Sequence, residues 1–106
     1  MGKDEGLIRR LKVFFKQMSR DFHFQQVILF GSAAEGRAGK DSDIDLIVVS
    51  EDFAGKKFHE RPGRLHLAWD LGVPVDLLCF TPSEFAERSR GVNIVSHALK
   101  HGLRIA

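Results

Sequence analysis

Apolar and polar residues follow one another along this chain with two different periods, which predict helices and strands. The first apolar set recurs at a helical spacing over Glu5–Phe22, with basic residues on the other side of the helix. Its members are Leu7, Ile8, Leu11, Phe14, Phe15, Met18 and Phe22. Three shorter segments, Phe24–Phe30, Asp43–Ser50 and Val73–Phe80, have the composition of strands. The second of them is apolar almost throughout, so we expect it to be buried on both faces.

The segments between and after these strands predict further helices. One helix is expected to end near Leu71-Gly72, after the charged and flexible-looking stretch Glu51–Lys57. Its expected apolar face consists of Leu65, Leu67, Ala68, Trp69 and Leu71. The segment Thr81-Pro82-Ser83-Glu84 has the residues of a helix start, with Thr as the N-cap, Pro in the first turn and Glu at the third position. A last helix is predicted over Val92–His101, followed by a short edge strand over Leu103–Ala106.

This succession predicts an α/β (α+β) fold, a small mixed β-sheet of three to four main strands flanked by helices. The 106 residues fit one domain, 1–106, and 43% hydrophobic with 28% charged residues is an ordinary globular balance. The formal net charge of +2 gives no general reason to expect nucleic-acid binding, although it does not exclude it. The apolar runs are far shorter than the ~20 residues of a membrane span, and the start of the chain lacks the apolar region of a signal peptide. We therefore expect a cytoplasmic protein.

Three aspartates interrupt apolar strand sequences, which is unusual and therefore informative. Asp43 and Asp45 are two positions apart at the start of the second strand, so their side chains should point to the same face. Asp76 interrupts the third strand, which should lie close to the second strand in one sheet. Converging carboxylates suit Mg²⁺ or Mn²⁺, and two such ions can activate a hydroxyl and stabilise a leaving pyrophosphate. The alternative is that one or two of these aspartates cap turns or accept bonds from backbone N–H groups.

A glycine-rich loop joins the first two strands. Gly31 lets the backbone approach a phosphate closely, and Ser32 can donate its hydroxyl and its backbone N–H. The loop contains neither the G-K-[ST] of P-loop ATPases nor the G-x-G-x-x-G of a dinucleotide site. A phosphate loop followed by carboxylates indicates chemistry on a nucleotide.

The spacing G-S-x₁₀-D-x-D, from Gly31-Ser32 to Asp43-Ile44-Asp45, resembles the signature of the DNA polymerase beta-like nucleotidyltransferase superfamily. Asp76 stands where that superfamily has its third metal-binding aspartate, and the short chain resembles the minimal nucleotidyltransferases. The resemblance implies that Asp43 and Asp45 bind two Mg²⁺ ions. It also implies that Asp76 completes one of these sites and helps to activate the acceptor hydroxyl.

The phosphate contacts implied by the resemblance depart in part from the family pattern. Gly31 and Ser32 would hold the β- and γ-phosphates. Many minimal members carry an arginine in the next segment, where this chain has Ala33-Ala34-Glu35. Arg37 and Lys40 are then the nearest basic residues for a phosphate contact.

The resemblance also implies a partner. Minimal nucleotidyltransferases are often paired with a helical HEPN protein as toxin–antitoxin modules, and they transfer AMP to the partner or simply cap it. The implied activity is Mg²⁺-dependent transfer of a nucleoside monophosphate, first of all AMP from ATP, to an acceptor hydroxyl on a HEPN-type protein. Two alternatives stay open, a non-catalytic antitoxin or regulatory subunit that neutralises a helical partner, and a nucleotide sensor. The sequence leaves open the acceptor, the base preference and whether the chain forms homo- or hetero-oligomers.

For the other polar residues, we weigh an ordinary structural role against a functional one. The basic side of the first helix is expected to be a solvated face, with a docking surface for an acidic partner as the alternative. It is formed by Arg9, Arg10, Lys12, Lys16 and Arg20. His97 and His101 are four positions apart, and we expect them to be ordinary histidines on a helix surface rather than a pair of metal ligands. Cys79, the only cysteine, is expected to be a small buried hydrophobe.

Overall fold

Four helices and four strands make up most of the part of the chain that the structure describes. The structure is a computed structural model, and it describes residues 5–31, 33–34 and 43–106. The helices are α1 (Glu5–Met18), α2 (Gly63–Ala68), α3 (Pro82–Ser89) and α4 (Ile94–His101). The strands are β1 (Phe24–Phe30), β2 (Ile44–Ser50), β3 (Val75–Phe80) and β4 (Leu103–Arg104). In the described residues, no helix is both long enough and apolar enough to cross a membrane.

The strands form one mixed sheet in the order β3-β2-β1-β4. Strands β2 and β3 are parallel, whereas β1 is antiparallel to both β2 and β4. This arrangement confirms the predicted small mixed sheet and the predicted edge strand near the end of the chain. Because β2 and β3 are neighbours and parallel, their first residues lie at the same end of the sheet.

Each face of the sheet packs against different helices. One face carries Leu29, Leu46 and Cys79 in a core shared with Leu11 and Phe15 of α1. The other face carries residues of the same strands in a second core with Phe85 of α3, and with Val95 and Ala98 of α4; these strand residues are Ile28, Phe30, Ile47, Val49 and Phe80. Strand β2 is buried on both faces, as its almost unbroken apolar sequence predicts.

The predicted start of the helix at Thr81 is confirmed in detail. The Thr81 hydroxyl accepts a hydrogen bond from the Glu84 backbone N–H at 3.3 Å, and the Glu84 carboxylate accepts one from the Thr81 N–H at 2.9 Å. These reciprocal bonds form a capping box that satisfies donors left free at the helix start. The sequence pattern therefore placed the beginning of α3 correctly.

A buried arginine ties this helix start to two other segments. Arg61 donates to both carboxylate oxygens of Glu84, at 2.6 and 3.1 Å, and its side chain is only 8% exposed. The same guanidinium donates to the carbonyl oxygens of Cys79 and Lys56, both at 3.0 Å. We refer to Arg61, Glu84 and these two carbonyls as the Arg61 clasp. It joins the loop before α2, the end of β3 and the start of α3.

Two sequence-based expectations about the first half of the chain are wrong. Helix α1 ends at Met18 rather than at Phe22, because the chain turns through Ser19–Asp21 and then runs into β1. Phe22 is nevertheless buried, so its place in the apolar stripe reflects packing and not helical geometry. The stretch Glu51–Lys57 is not flexible-looking in the structure, since it begins with a 3₁₀ turn that buries Phe53 completely.

The helix before β3 also differs from its prediction. Helix α2 ends at Ala68, before Leu71-Gly72, because Trp69 adopts an extended conformation and its indole N–H donates to the Val73 carbonyl at 2.8 Å. Leu67 is 90% exposed and so does not belong to the apolar face. At the end of the chain, α4 begins at Ile94 with Asn93 as its N-cap, and Val92 stays fully exposed outside it.

Gly102 lies where α4 ends against β1. A Cβ atom at this position would lie 2.5 Å from the Ala98 carbonyl oxygen and 2.7 Å from Cγ2 of Ile28. We expect Gly102→Ala to lower the free energy of unfolding by about 2 kcal/mol, because backbone atoms cannot move aside as side chains can. Gly63→Ala is the matched variant, since nothing lies within 4 Å of its added Cβ. Urea denaturation of both variants checks this prediction, which equal stabilities would contradict.

The single cysteine is buried, as predicted. Cys79 is 1% exposed on β3, in the core that faces α1. Burial raises the pKa of its thiol to about 12. The thiol is therefore protonated at neutral pH and behaves as a small apolar side chain.

Candidate active site

Asp45 and Asp76 meet at the end of the sheet where β2 and β3 begin. They are direct partners in the parallel register of these strands. The neighbours of Asp45 on β2, Ile44 and Leu46, face α1. Because strand side chains alternate, both carboxylates point to the other face, the one covered by α3 and α4. The register of β2 and β3 thus brings these two acids together across neighbouring strands, as predicted.

The electrostatics of Asp45 reflect this crowding of acids. Burial raises the pKa of Asp45 above its usual value, and the nearby charge of Asp76 and a hydrogen bond between the two carboxyl groups raise it further. Asp43, which is exposed just before β2, adds a smaller effect in the same direction. Within the described residues, neither Asp45 nor Asp76 forms an ion pair with a basic side chain. The site therefore concentrates negative charge that the described part of the chain does not neutralise.

Gly31 follows β1 directly and lies against Asp45. Its φ of +77° belongs to the left-handed region that favours glycine. A Cβ atom at this position would lie 2.7 Å from the Asp45 Oδ2 atom. The backbone conformation therefore favours glycine here, and a Cβ atom at this position would push the Asp45 carboxylate from its place.

Replacement of Gly31 by alanine is expected to displace the Asp45 carboxylate. Gly55 is the matched position, since its φ is +79° but nothing lies within 4 Å of an added Cβ. Both substitutions should cost about 1 kcal/mol of stability through backbone strain. Only Gly31→Ala should also change the site, and titration of Mg²⁺ or ATP followed by tryptophan fluorescence or calorimetry would measure that change. Equal ligand binding by the two variants would contradict the prediction.

The two carboxylates form one wall of an open cleft of about 380 Å³. The other lining residues are Phe30, His66, Leu77, Leu78 and Ile94. The cleft thus combines two acids with a largely apolar lining, as small-molecule sites usually do. A larger cavity of about 450 Å³ lies at the other end of β3, where Arg61, Glu84 and Phe80 are among its lining residues, and neither aspartate lines it.

Sequence reasoning missed His66 and Ile94 as cleft residues. His66 lies near the end of the short helix α2, and Ile94 is the first residue of α4. The sequence around His66 carries no ligand spacing, and Ile94 reads as part of an apolar helix face. Only the way in which α2 and α4 pack beside β3 brings them to the acids.

Three other predicted site residues, Ser32, Arg37 and Lys40, lie outside the described residues. Among residues 5–31, 33–34 and 43–106, no group of three or more His, Cys, Asp or Glu side chains forms a ready-made metal site. What the structure brings together is the pair Asp45 and Asp76, with Asp43 at the entrance. The chemistry of this donor set, carboxylate oxygens with excess negative charge, fits a hard divalent cation.

The mixed sheet, the acid pair at its end and the glycine against that pair define a small α/β domain with an acidic site at one end of its sheet. Residues 8–103 match the family described as Nucleotidyltransferase domain. Because this match spans most of the sequence, the chain belongs to the nucleotidyltransferase domain family. A search of curated proteins finds no significant match.

Two solved structures support the fold. A presumed nucleotidyltransferase from Sulfolobus solfataricus is 23% identical, and the comparison covers 98% of this chain and 89% of that chain with a TM-score of 0.63. A toxin–antitoxin crystal structure with AMP-PNP is 24% identical, and the comparison covers 90% of this chain and 72% of that chain with a TM-score of 0.56. These similarities confirm the nucleotidyltransferase fold.

Proposed function

We propose that this protein transfers a nucleoside monophosphate from a nucleoside triphosphate to a hydroxyl group on a partner protein. ATP is the first candidate for the donor. The observation that carries the proposal is the register pair Asp45–Asp76 with Gly31 packed against Asp45. Membership of the nucleotidyltransferase family supports the reaction class.

In this proposal the acceptor oxygen attacks the α-phosphorus of the triphosphate, and the bond from that phosphorus to the β-phosphate oxygen breaks. Asp76 accepts or orients the proton of the attacking hydroxyl, since its carboxylate is exposed at the cleft. Asp43, Asp45 and Asp76 would hold Mg²⁺, two ions by the family pattern, with Mn²⁺ as the alternative. The bound metal would neutralise phosphate charge and lower the pKa of the acceptor hydroxyl.

The remainder of the cleft is suited to the rest of the nucleotide. Phe30, Leu78 and Ile94 offer apolar surface for a base or a ribose, and His66 offers a hydrogen-bonding ring. The phosphates would lie toward Gly31, beside the Asp45 carboxylate, where the bound metal would offset the repulsion between their negative charges. Ser32, Arg37 and Lys40 are proposed as the further phosphate contacts.

A partner protein as the acceptor is supported by one of the solved structures. That structure is a toxin–antitoxin with AMP-PNP, so a protein of this fold occurs there with both a partner and an ATP analogue. A HEPN-type protein, which the sequence resemblance implies, is the partner we propose. The same structure also favours a second candidate function, in which this chain neutralises its partner by binding alone.

ATP labelled on either the α- or the γ-phosphate tests the reaction, with the product of the neighbouring reading frame as the first candidate acceptor. Transfer of the α-label alone, with release of pyrophosphate, is the expected result. Transfer of the γ-label would show phosphoryl transfer instead and refute the proposal. A stable complex that neutralises the partner without any label would favour the binding-only function.

A further inference from the structure

The outward face of α1 carries positive charge that the described part of the chain leaves unpaired. Its basic residues are all exposed, and they are Arg9, Arg10, Lys12, Lys16 and Arg20 just beyond the helix end. Within residues 5–31, 33–34 and 43–106, none of them forms an ion pair with an acid, although Arg10 donates a hydrogen bond to the Leu71 carbonyl. Glu5 is the only acid in α1. This face is therefore a basic stripe along a helix of about 21 Å.

An apolar side chain lies in the middle of this basic stripe. Val13 is 52% exposed, and its helical neighbours at i−4 and i+3 are Arg9 and Lys16. Beside Val13 a cavity of about 330 Å³ opens between α1 and the segment after α2. Its apolar floor includes Phe14 and Leu71. An exposed valine between bases, next to a cavity with an apolar floor, offers both charge and an anchoring point.

This surface is separate from the candidate active site. Helix α1 packs on the sheet face that carries Leu29 and Leu46, whereas Asp45 and Asp76 point to the opposite face. A partner held on α1 would leave the acidic cleft open. The proposed metal and nucleotide sites therefore give this surface no role.

We infer that the outward face of α1, centred on Val13, is a docking surface for an acidic amphipathic helix of a partner protein. Complementary charge would orient the helix, and one of its apolar side chains would enter the cavity beside Val13. A nucleic acid fits less well, because the apolar floor of this cavity suits an apolar side chain, which an amphipathic helix presents and a phosphate backbone does not. In addition, the one aromatic ring that lines this cavity, Phe14, is buried and offers no surface for base stacking. This inference goes beyond the proposed reaction and does not depend on it.

The test uses three labelled synthetic peptides of about 15 residues, long enough for several helical turns. One is an acidic amphipathic peptide with Leu on one face and Glu on the other. The second has the same composition in scrambled order, and the third has Lys in place of Glu. Fluorescence anisotropy with the full chain should show that the scrambled peptide binds about 10-fold more weakly and that the basic peptide does not bind.

Two charge-reversal variants locate the surface. Arg9→Glu/Lys16→Glu should weaken binding of the amphipathic peptide about 10-fold or more, because two attractive contacts become repulsive. Lys57→Glu/Lys100→Glu changes the net charge equally at exposed positions outside α1 and should change binding less than about 2-fold. Val13→Ser should weaken binding of the amphipathic peptide and not that of the scrambled one. Circular dichroism confirms that each variant is folded.

Three outcomes would overturn the inference. Equal binding of the scrambled peptide would show only general attraction of anions to a basic protein. Equal loss in both charge-reversal variants would place the contact elsewhere. Tighter binding of single-stranded RNA than of the acidic peptide, lost in Arg9→Glu/Lys16→Glu, would make α1 a nucleic-acid surface. None of these outcomes bears on the α-label transfer assay, so this inference and the proposed reaction can fail separately.

Discussion

Replacement of Asp45 by asparagine is expected to abolish nucleotidyl transfer and, at the same time, to stabilise the metal-free protein. The activity should fall at least about 100-fold, because a ligand that supports several kcal/mol of charge stabilisation is lost. The free energy of unfolding should rise by about 0.5–1 kcal/mol, because the substitution removes a half-buried carboxylate whose charge is repelled by Asp76 and Asp43. Opposite signs in the two measurements distinguish a functional acid from a structural one.

The transfer assay and thermal unfolding in the presence of a chelator measure the two effects. Asp21→Asn is the matched variant, since Asp21 is exposed and its ion pair with Arg64 is long at 3.7 Å. It should change neither activity nor stability appreciably. Full activity of Asp45→Asn would refute the assigned site, and a lower stability would show that the carboxylate instead has a structural partner.

The largest loss of stability is expected from Arg61→Met, which removes the centre of the Arg61 clasp. The buried guanidinium makes four hydrogen bonds to Glu84, Cys79 and Lys56, and its removal takes these donors away while the Glu84 carboxylate keeps its bond from the Thr81 N–H. Breaking a buried ion pair can cost ~3–5 kcal/mol, but Glu84 is 41% exposed, so we expect about 2–3 kcal/mol. The melting temperature should fall by about 10 °C.

The way in which the free energy of unfolding changes with pH tests the Arg61 clasp independently. The Arg61 guanidinium and the Thr81 N–H lower the pKa of Glu84 from 4.5 to about 2. The resulting stabilisation is therefore fully present above pH 4.5 and is lost as the pH falls toward 2. Glu84→Gln should be less stable than the wild type at neutral pH, and the difference should shrink on acidification. A difference that stays constant with pH would show that the clasp carries little charge-dependent energy.

The sequence predicted those features that depend on local pattern. The apolar runs of β1, β2 and β3 reflect burial in the core, and the helix start at Thr81 depends on neighbours within one turn. The meeting of Asp45 and Asp76 was predictable because a helix between two apolar strands favours their being neighbours. Each of these inferences needs only the spacing of residues along the chain.

The features that the sequence did not reveal depend on contacts between distant segments. Nothing local shows that Arg61 would be buried against Glu84, since both residues are usually exposed. The cleft residues His66 and Ile94 belong to two helices whose positions beside β3 are set by tertiary packing. Leu67 shows the reverse case, because it has the right spacing for an apolar face and yet is 90% exposed on a helix that is too short to bury it.

Because Cys79 is buried, the reactivity of its thiol reports local opening of the structure. Its thiol lies on β3, the strand that carries Asp76, and a pKa of about 12 keeps it unreactive while the strand is in place. A thiol-specific reagent can therefore react only after the core between the sheet and α1 opens at this position. The labelling rate measures how often this core opens around β3, and nucleotide or partner binding that holds the core closed would slow the reaction without any added probe.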